Sequence, residues 1–476
     1  MTSLSLFNSL SRTQEPFAPS DGKTARVYSC GPTVYNFAHL GNLRAYVFTD
    51  TLRRTLLFKG WDVRHIINIT DVGHLTSDAD AGEDKMELAA AGLGKDIWEV
   101  AAFYTAAFKQ NIRDLNIIEP TRWSVATDHI QEMIAFAEKI ADAHCYEIES
   151  GLYFDVTTVP DYGRLARTVS DEGESRIDPV TGKRNPQDFA IWRRSPPGEQ
   201  RQMEWDSPWG RGAPGWHLEC SVMSLKYLGP EPFDIHTGGI DHREIHHPNE
   251  IAQNQAFCDC TAEQPGFTGA RFWMHNNFLV DRTGKMSKSG GGFTTLQSLI
   301  DAGVHPLAYR LLCLSAQYRS ELEFSGEAVG AAVTRLKRLV MAAERLGTDE
   351  GTPTQAYIDR LDAALSDDLN TPQALVALDE MLADKKLSPA DRRATLGRFD
   401  AALGLTLTTL SRADLRVRPV AGMLEETSIE AKLDERKDAR VAKDFARSDA
   451  IRDELIAAGI EVMDGDPLRW EWRVTL

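Results

Sequence analysis

The sequence predicts an α/β protein: a doubly wound, nucleotide-binding-style domain interrupted by an insertion, then an α-helical bundle, then a small mixed α/β module. Three observations predict it. The apolar run RVYSC ends at Cys30 and is followed by Gly-Pro punctuation and a periodic stretch through Leu43, Tyr46, Val47, Phe48 and Leu52, which reads as strand, tight turn and helix. A second apolar strand, VRHIINIT (63–70), follows at a distance suited to a parallel crossover. After Thr295 helical periodicity takes over, until the last 50 or so residues return to a helix followed by two short strands.

Taken in order, residues 97–145 alternate apolar and polar at helical spacing, and GLYFDV (151–156) reads as a strand entering a Pro/Gly/Arg-rich insertion that runs to about Gly215. The α/β pattern resumes with WHLECSVMSLKYLG, FDIHTGG and EIHHPNEIAQNQAF. In EAVGAAVTRLKRLVMAAERLG, Val329, Val333, Leu336, Leu339, Val340 and Leu346 share one helix face, and Thr371 with Pro372 reads as N-cap and first helical residue of the next stretch. A basic-acidic helix closes on Gly459, and in RWEWRV the residues Trp470, Trp472 and Val474 alternate with charged ones. The expected domains are 1–295 with its insertion at about 115–215, then 296–415, then 425–476.

With 476 residues the chain is too long for one ordinary core, so several domains are expected. The formal net charge of -17 argues against a general nucleic-acid coat, because phosphate binding relies on lysine and arginine, yet it leaves room for a local basic track. Six scattered cysteines are too few for a disulfide framework, so reduced thiols are expected. No apolar run is long enough to span a bilayer, and the N-terminus lacks a basic leader with an apolar stretch, which points to a cytoplasmic protein.

Two segments carry chemistry. His39-Leu40-Gly41-Asn42 sits where a strand hands over to a helix, and a helix N-terminus offers free N–H groups and a positive dipole end to phosphate. His39 can donate to a phosphate oxygen, Gly41 lets a nucleoside approach the backbone, and Asn42 adds a neutral donor. Far downstream, Lys285-Met286-Ser287-Lys288-Ser289 stands on a glycine-flanked loop, a cationic clamp suited to a triphosphate.

These two motifs, on a split nucleotide fold followed by a helical bundle, resemble the class I aminoacyl-tRNA synthetases. Within that class the text resembles the cysteinyl-tRNA synthetases along almost the whole chain, through SCGPTVYNFAHLGNLR, NITDV, KRNPQDFAIWR, GAPGWHLECSVM, HTGGID, HHPNEIAQ, WMHNNFL, GKMSKSGG, DLNTPQAL and DFARSDAIRDEL. The resemblance implies a Rossmann-like catalytic domain, activation of L-cysteine by ATP, and transfer to tRNA-Cys by a monomer. It implies one zinc ion per chain on Cys30, Cys220, His246 and Glu250, a donor set of two thiolates, an imidazole and a carboxylate that suits zinc. Cys30 and Cys220 are expected to end or adjoin strands, while His246 and Glu250 share a helix face at i, i+4. His247 offers a second imidazole on spacing alone.

The resemblance further places Gly31, Thr70, Trp216 and His217 around the cysteine substrate, and Gly238, Gly239 and Asp241 against adenosine, although those glycines could also simply form a turn. His39, Asn42, Lys285 and Lys288 would neutralise and position the phosphates, with Lys288 as the main transition-state contact and magnesium on the ATP. Recognition of tRNA is expected to fall to the helical bundle and the C-terminal module, in whose last strand Arg469 and Arg473 flank the faces of Trp470 and Trp472 for unstacked anticodon bases; packing of the tryptophans on the preceding helix is the plainer alternative.

Two features depart from the family text. Asn42 stands where many class I enzymes carry a second histidine, and residues 73–84 are longer and more acidic than the family's segment. The competing readings are a cysteine ligase that joins cysteine to an amino sugar, which would lack an anticodon module, and a non-catalytic tRNA-binding paralogue.

Overall fold

The computed structural model describes residues 2–72, 85–166, 180–196, 198, 201–258, 267–281, 284–285 and 295–474. The acidic 73–84 segment and Lys288 lie outside the described residues.

An N-terminal hairpin, β1 (Ser5–Asn8) and β2 (Thr13–Pro16), precedes β3 (Thr24–Ser29), α1 (Leu40–Phe58) and β4 (Asp62–Ile69). Helices α2 (Lys85–Leu93) and α3 (Ile97–Asp114) lead to β5 (Arg122–Val125) and α4 (Ile130–His144). A four-stranded antiparallel sheet follows, made of β6 (Cys145–Ile148), β7 (Gly151–Phe154), β8 (Phe189–Arg194) and β9 (Gly212–Pro214). The chain returns through α5 (Trp216–Leu228), β10 (Phe233–Gly239), α6 (His246–Phe257) and β11 (Ala270–Asn276).

The central sheet is parallel with order β11-β10-β3-β4-β5. Strands β3, β4, β10 and β11 are buried over most of their length, yet they carry polar residues such as His65, Asn68, Asp234, His236 and His275 among the apolar ones. The chain winds outward from β3 in one direction through β4 and β5, then resumes on the other side with β10 and β11. Ligands bind such sheets at the carboxyl ends of the strands where the winding reverses, here between β3 and β10. Cys30 follows β3 directly, Gly238 and Gly239 end β10, and Asn276 ends β11.

Arg122–Val125 corrects the helical reading of residues 97–145. It is a short strand pairing in parallel with Ile66–Ile69, so part of the expected insertion belongs to the central sheet and the separate antiparallel sheet begins only at Cys145. The reduced-thiol expectation holds for Cys30, Cys145, Cys220 and Cys313, whereas Cys258 is disulfide-bonded.

Beyond the sheet, β12 (Leu279–Asp281) pairs with β13 (Gly284–Lys285), and α7 (Leu296–Asp301) and α8 (Pro306–Leu314) carry the chain past β14 (Leu322–Glu323). The helical region contains α9 (Gly326–Glu344), α10 (Gln355–Ser366), α11 (Thr371–Ala383) and α12 (Pro389–Leu403). The cap of α11 is Asn370, whose side chain accepts from the Gln373 N–H; Thr371 is already helical, one residue from the expected position. Last come α13 (Glu426–Val441), α14 (Phe445–Ala457), β15 (Ile460–Val462) and β16 (Trp470–Trp472), the two strands antiparallel.

Candidate active site

A cavity of about 310 Å³ opens at the reversal point of the sheet. Its lining brings together Cys30, Gly31, His39, Gly41, Asn42, Trp216, Gly238, Gly239, Asp241 and His246. Thr70, His217, Cys220 and Glu250 are not among the lining residues; they stand behind it, all buried.

His39 caps α1 reciprocally with Asn42. Its Nδ1 accepts the Asn42 N–H at 3.2 Å, and the Asn42 Oδ1 accepts the His39 N–H at 3.3 Å. Acceptance at Nδ1 places the proton of a neutral ring on Nε2, and the use of Oδ1 leaves the Asn42 amide nitrogen as donor. Both residues are thereby oriented as donors. Gly41 has its own steric reason, since a Cβ there would lie 3.0 Å from the His39 ring.

The second motif is anchored at its described ends. Leu279 lines the cavity, β13 places Gly284 and Lys285 against β12, and Thr295, the cap of α7, makes a β-bridge back to His39.

At the inner end, Cys30, Cys220, His246 and Glu250 present ligand atoms that all lie within 4.8 Å of one another. Cys30 follows β3, but Cys220 lies inside α5, not beside a strand, at i+4 from Trp216. His246 and Glu250 share one face of α6, with Nε2 and Oε1 3.0 Å apart. A second grouping swaps in His236 and His247 around the same Cys30 and Glu250. Both of those rings contact the cluster: His236 Nε2 meets Glu250 Oε2 at 2.9 Å, and His247 lies 3.3 Å from Cys30 Sγ through Nε2 while its Nδ1 meets His275 Nε2 at 2.8 Å. His246 alone of the three lines the cavity.

Within the buried cluster the acidic groups stabilise a proton on His246, which has to leave before that imidazole can ligate a metal. Burial pushes Glu250 upward, but His236 and His246 outweigh it and hold the carboxyl at about 2. Burial likewise opposes charge on His246, and Glu250 and Cys220 overcome it, raising the imidazole to about 10. Burial raises Cys30, while at Cys220 the hydrogen bonds from Cys30 and His246 overcome burial and bring it to about 6. Soft sulfur, imidazole and carboxylate in one buried cluster fit a tetrahedral zinc site.

Other expected residues take more structural roles. His217 Nδ1 lies 2.9 Å from His246 Nδ1, and the Thr70 hydroxyl donates to Glu219 at 2.8 Å. Glu219 was missed in the sequence: it is fully buried, its Oε1 has no hydrogen-bond partner among the described residues, and burial raises its pKa well above the usual range. Trp216 stacks obliquely on His246 with ring centres 4.2 Å apart and walls the cavity. A Cβ on Gly238 would meet the His247 and His242 rings at 2.7 and 2.8 Å, so that glycine is needed for packing whatever binds beside it.

Gly31 is the strictest case. A Cβ there would sit 1.5 Å from the Asn68 carbonyl oxygen, and backbone cannot move aside cheaply. Gly31→Ala is expected to destabilise the protein by about 1–3 kcal/mol and to widen the gap between β3 and β4 at the cavity. Denaturant unfolding of the purified variant checks this.

The C-terminal expectation is corrected. Trp470 and Trp472 are 0% and 5% exposed and form the core of the module with Ile429, Leu433, Ile451, Leu455 and Ile460. Trp470 Nε1 donates to Glu430, and Arg469 is tied to Glu430 and Asp434 at 2.7 Å each. Their faces are used by packing, not offered to bases. At the α13–α14 turn, within RVAKDFARSD (440–449), Phe445 is 63% exposed two residues after Lys443.

Residues 16–334 match the family model described as tRNA synthetases class I (C) catalytic domain. The chain is 62% identical to the cysteine–tRNA ligase of Novosphingobium aromaticivorans over 99% of this chain and 97% of that protein. It is 57% identical to the cysteine–tRNA ligase of Zymomonas mobilis over 98% of this chain and 97% of that one. In fold it is similar to a LeuRS of Agrobacterium radiobacter K84 solved with tRNA and LeuAMS, with a TM-score of 0.56, 12% identity, and coverage of 85% of this chain and 88% of that one. A Mycobacterium tuberculosis methionyl-tRNA synthetase in complex with methionyl-adenylate gives a TM-score of 0.54 at 14% identity, covering 83% of this chain and 93% of that one.

Proposed function

The chain belongs to the cysteine–tRNA ligase family of class I aminoacyl-tRNA synthetases, and from that premise we propose that it activates L-cysteine with ATP and transfers the cysteinyl group to the 3′ end of tRNA-Cys, selecting the thiol through one zinc ion. The observation that carries this reading is the convergence of Cys30, Cys220, His246 and Glu250 at one end of a cavity whose other end carries the His39–Asn42 capping pair.

In the first step the cysteine carboxylate attacks the α-phosphate and pyrophosphate leaves. Such displacement depends on positioning and on neutralising charge. The Nε2–H of His39, the amide of Asn42 and the N-terminal N–H groups of α1 serve the phosphates. Gly238, Gly239 and Asp241 serve the adenosine, with the Asp241 carboxylate accepting from ribose hydroxyls. Lys285 and Lys288 follow the charge as it moves onto pyrophosphate, with magnesium on the ATP. In the second step a terminal ribose hydroxyl of the tRNA takes up the cysteinyl group, and AMP leaves.

Cys30, Cys220, His246 and Glu250 would hold the zinc, which when bound supplies a soft Lewis acid for the substrate sulfur. An apolar pocket alone separates near-isosteres by only about 10- to 200-fold, so the thiol-binding cluster, with Trp216 over it and Gly31 beside it, removes the need for editing. His217 orients His246, and Thr70 orients Glu219. The protein acts in the cytoplasm as a monomer; among the described residues no helix is long and apolar enough to cross a membrane.

The tRNA contact is assigned to the exposed tip at Phe445, two residues after Lys443, with Arg469 and Arg473 supporting the fold and charge of the module. Base stacking is worth about 1–3 kcal/mol per base. Phe445→Ala is therefore expected to raise the KM for tRNA-Cys roughly 5- to 100-fold, checked by charging assays at varied tRNA concentration.

Charging of a tRNA-Cys transcript with cysteine, run beside glucosamine-type amino sugars as acceptors, tests the reading. Cysteinyl-tRNA formation without amino-sugar product is expected; the reverse pattern would transfer the chain to the thiol-biosynthesis ligases.

A further inference from the structure

The mouth of the cavity carries aromatic side chains that the reaction at its floor does not use. Phe37 lines the cavity rim and is 45% exposed, and Phe103 on α3 is 48% exposed. Their rings meet edge to face with centres 5.8 Å apart, and each lies 5.1 Å from the ring of buried Tyr104 beneath them. Tyr104 closes the core at this point, so packing does not explain two large apolar rings left in water. The Lys95 ammonium stands 5.3 Å from the centre of the Phe103 ring.

Flat apolar faces beside a cation suit a ligand that is planar and anionic, which is the chemistry of an unpaired nucleotide. ATP is not that ligand, because its proposed contacts lie on α1 and β10, and Phe103 is outside the cavity lining. The second substrate is. Its single-stranded 3′ end has to enter this cavity to bring a ribose hydroxyl to the adenylate, and the two rings are continuous with the cavity through Phe37. A local cation also matters on a chain whose net charge is -17.

We propose that Phe37 and Phe103 form a stacking platform for the unpaired bases preceding the terminal adenosine of the tRNA, with Lys95 facing the backbone phosphate. The platform rests on the ligase reading given above. It acts in the transfer step, not in cysteine activation.

The test compares wild type, Phe103→Leu and Phe103→Trp by the ratio of tRNA-Cys charging to cysteine-dependent ATP–pyrophosphate exchange. Leucine keeps apolar bulk and removes the flat face, and tryptophan keeps the face. Phe103→Leu is expected to lower the ratio roughly 5- to 100-fold, and Phe103→Trp to retain it. On a transcript made abasic at the nucleotide before the terminal adenosine, the difference between wild type and Phe103→Leu is expected to vanish. A wild-type ratio in Phe103→Leu, or an equal deficit on the abasic transcript, overturns the platform. Absence of cysteine-dependent exchange in the wild type overturns the ligase reading itself, and is read separately because exchange needs no tRNA.

Discussion

Cys220→Ala is expected to lose its metal and, with it, the selection of cysteine over serine. Cys220 supplies one of two thiols in a cluster whose ligand atoms lie within 4.8 Å, and alanine removes the group whose pKa the cluster has already brought to about 6. The remaining cysteine, imidazole and carboxylate form a poorer and more open site. Discrimination in exchange should then fall to the roughly 10- to 200-fold that a shaped pocket provides. Metal content should fall from one zinc per chain to near none. Elemental analysis and exchange with cysteine and serine measure both; a variant that keeps zinc and selectivity would remove Cys220 from the ligand set.

Arg310→Met is expected to have the largest effect on stability. Arg310 is fully buried in α8, donating to the carbonyls of Leu403 at 2.8 Å and Leu115 at 2.9 Å and to Asp50 on α1. Arg54 shares Asp50 at 2.7 Å and reaches the carbonyls of Asn116 and Ala401. The network thus ties α1, the helix capped by His39, to the end of α3 and to the end of α12. Removing one partner leaves an incompletely paired buried carboxylate, a loss of about 3–5 kcal/mol. The half-exposed pair Arg335–Asp379, 2.7 Å apart, is the control, with a loss of about 0–1 kcal/mol.

The same network has a pH signature. Burial pushes the Asp50 carboxyl up, but Arg310, Arg54 and the Ile118 N–H outweigh it and hold it below its ordinary value. A carboxyl lowered in the folded state contributes its full stability above its unfolded pKa of about 4. That contribution is lost as pH falls through the folded value. Denaturant melts from neutral pH down to about 3 should therefore show a loss that is smaller in Asp50→Asn, which has less to lose.

What the sequence disclosed depended on how local the determining contacts are. The strand ending at Cys30, the capped helix after His39 and the strand at 62–69 were readable because turn chemistry and periodicity are written within a few residues. Arg122–Val125 was not, since a four-residue strand between two helical stretches has too short a period to stand out. Alternation placed Trp470 and Trp472 on one face but could not say that the face meets α13 and α14 instead of solvent. The same holds for Cys220: WHLEC has the i, i+4 spacing of a helix face, and only the tertiary fold shows which strand ends it meets. Arg310 sits in an apolar run with partners at positions 50, 115 and 403, which no local pattern can reveal.

The most direct measurement is zinc K-edge X-ray absorption on the purified protein, alone and with L-cysteine or L-serine. Two sulfur ligands per zinc at about 2.3 Å, rising to three with cysteine and unchanged with serine, are predicted. A zinc signal without sulfur, or one that cysteine leaves unaltered, would contradict the claim that this cluster selects the substrate through its thiol.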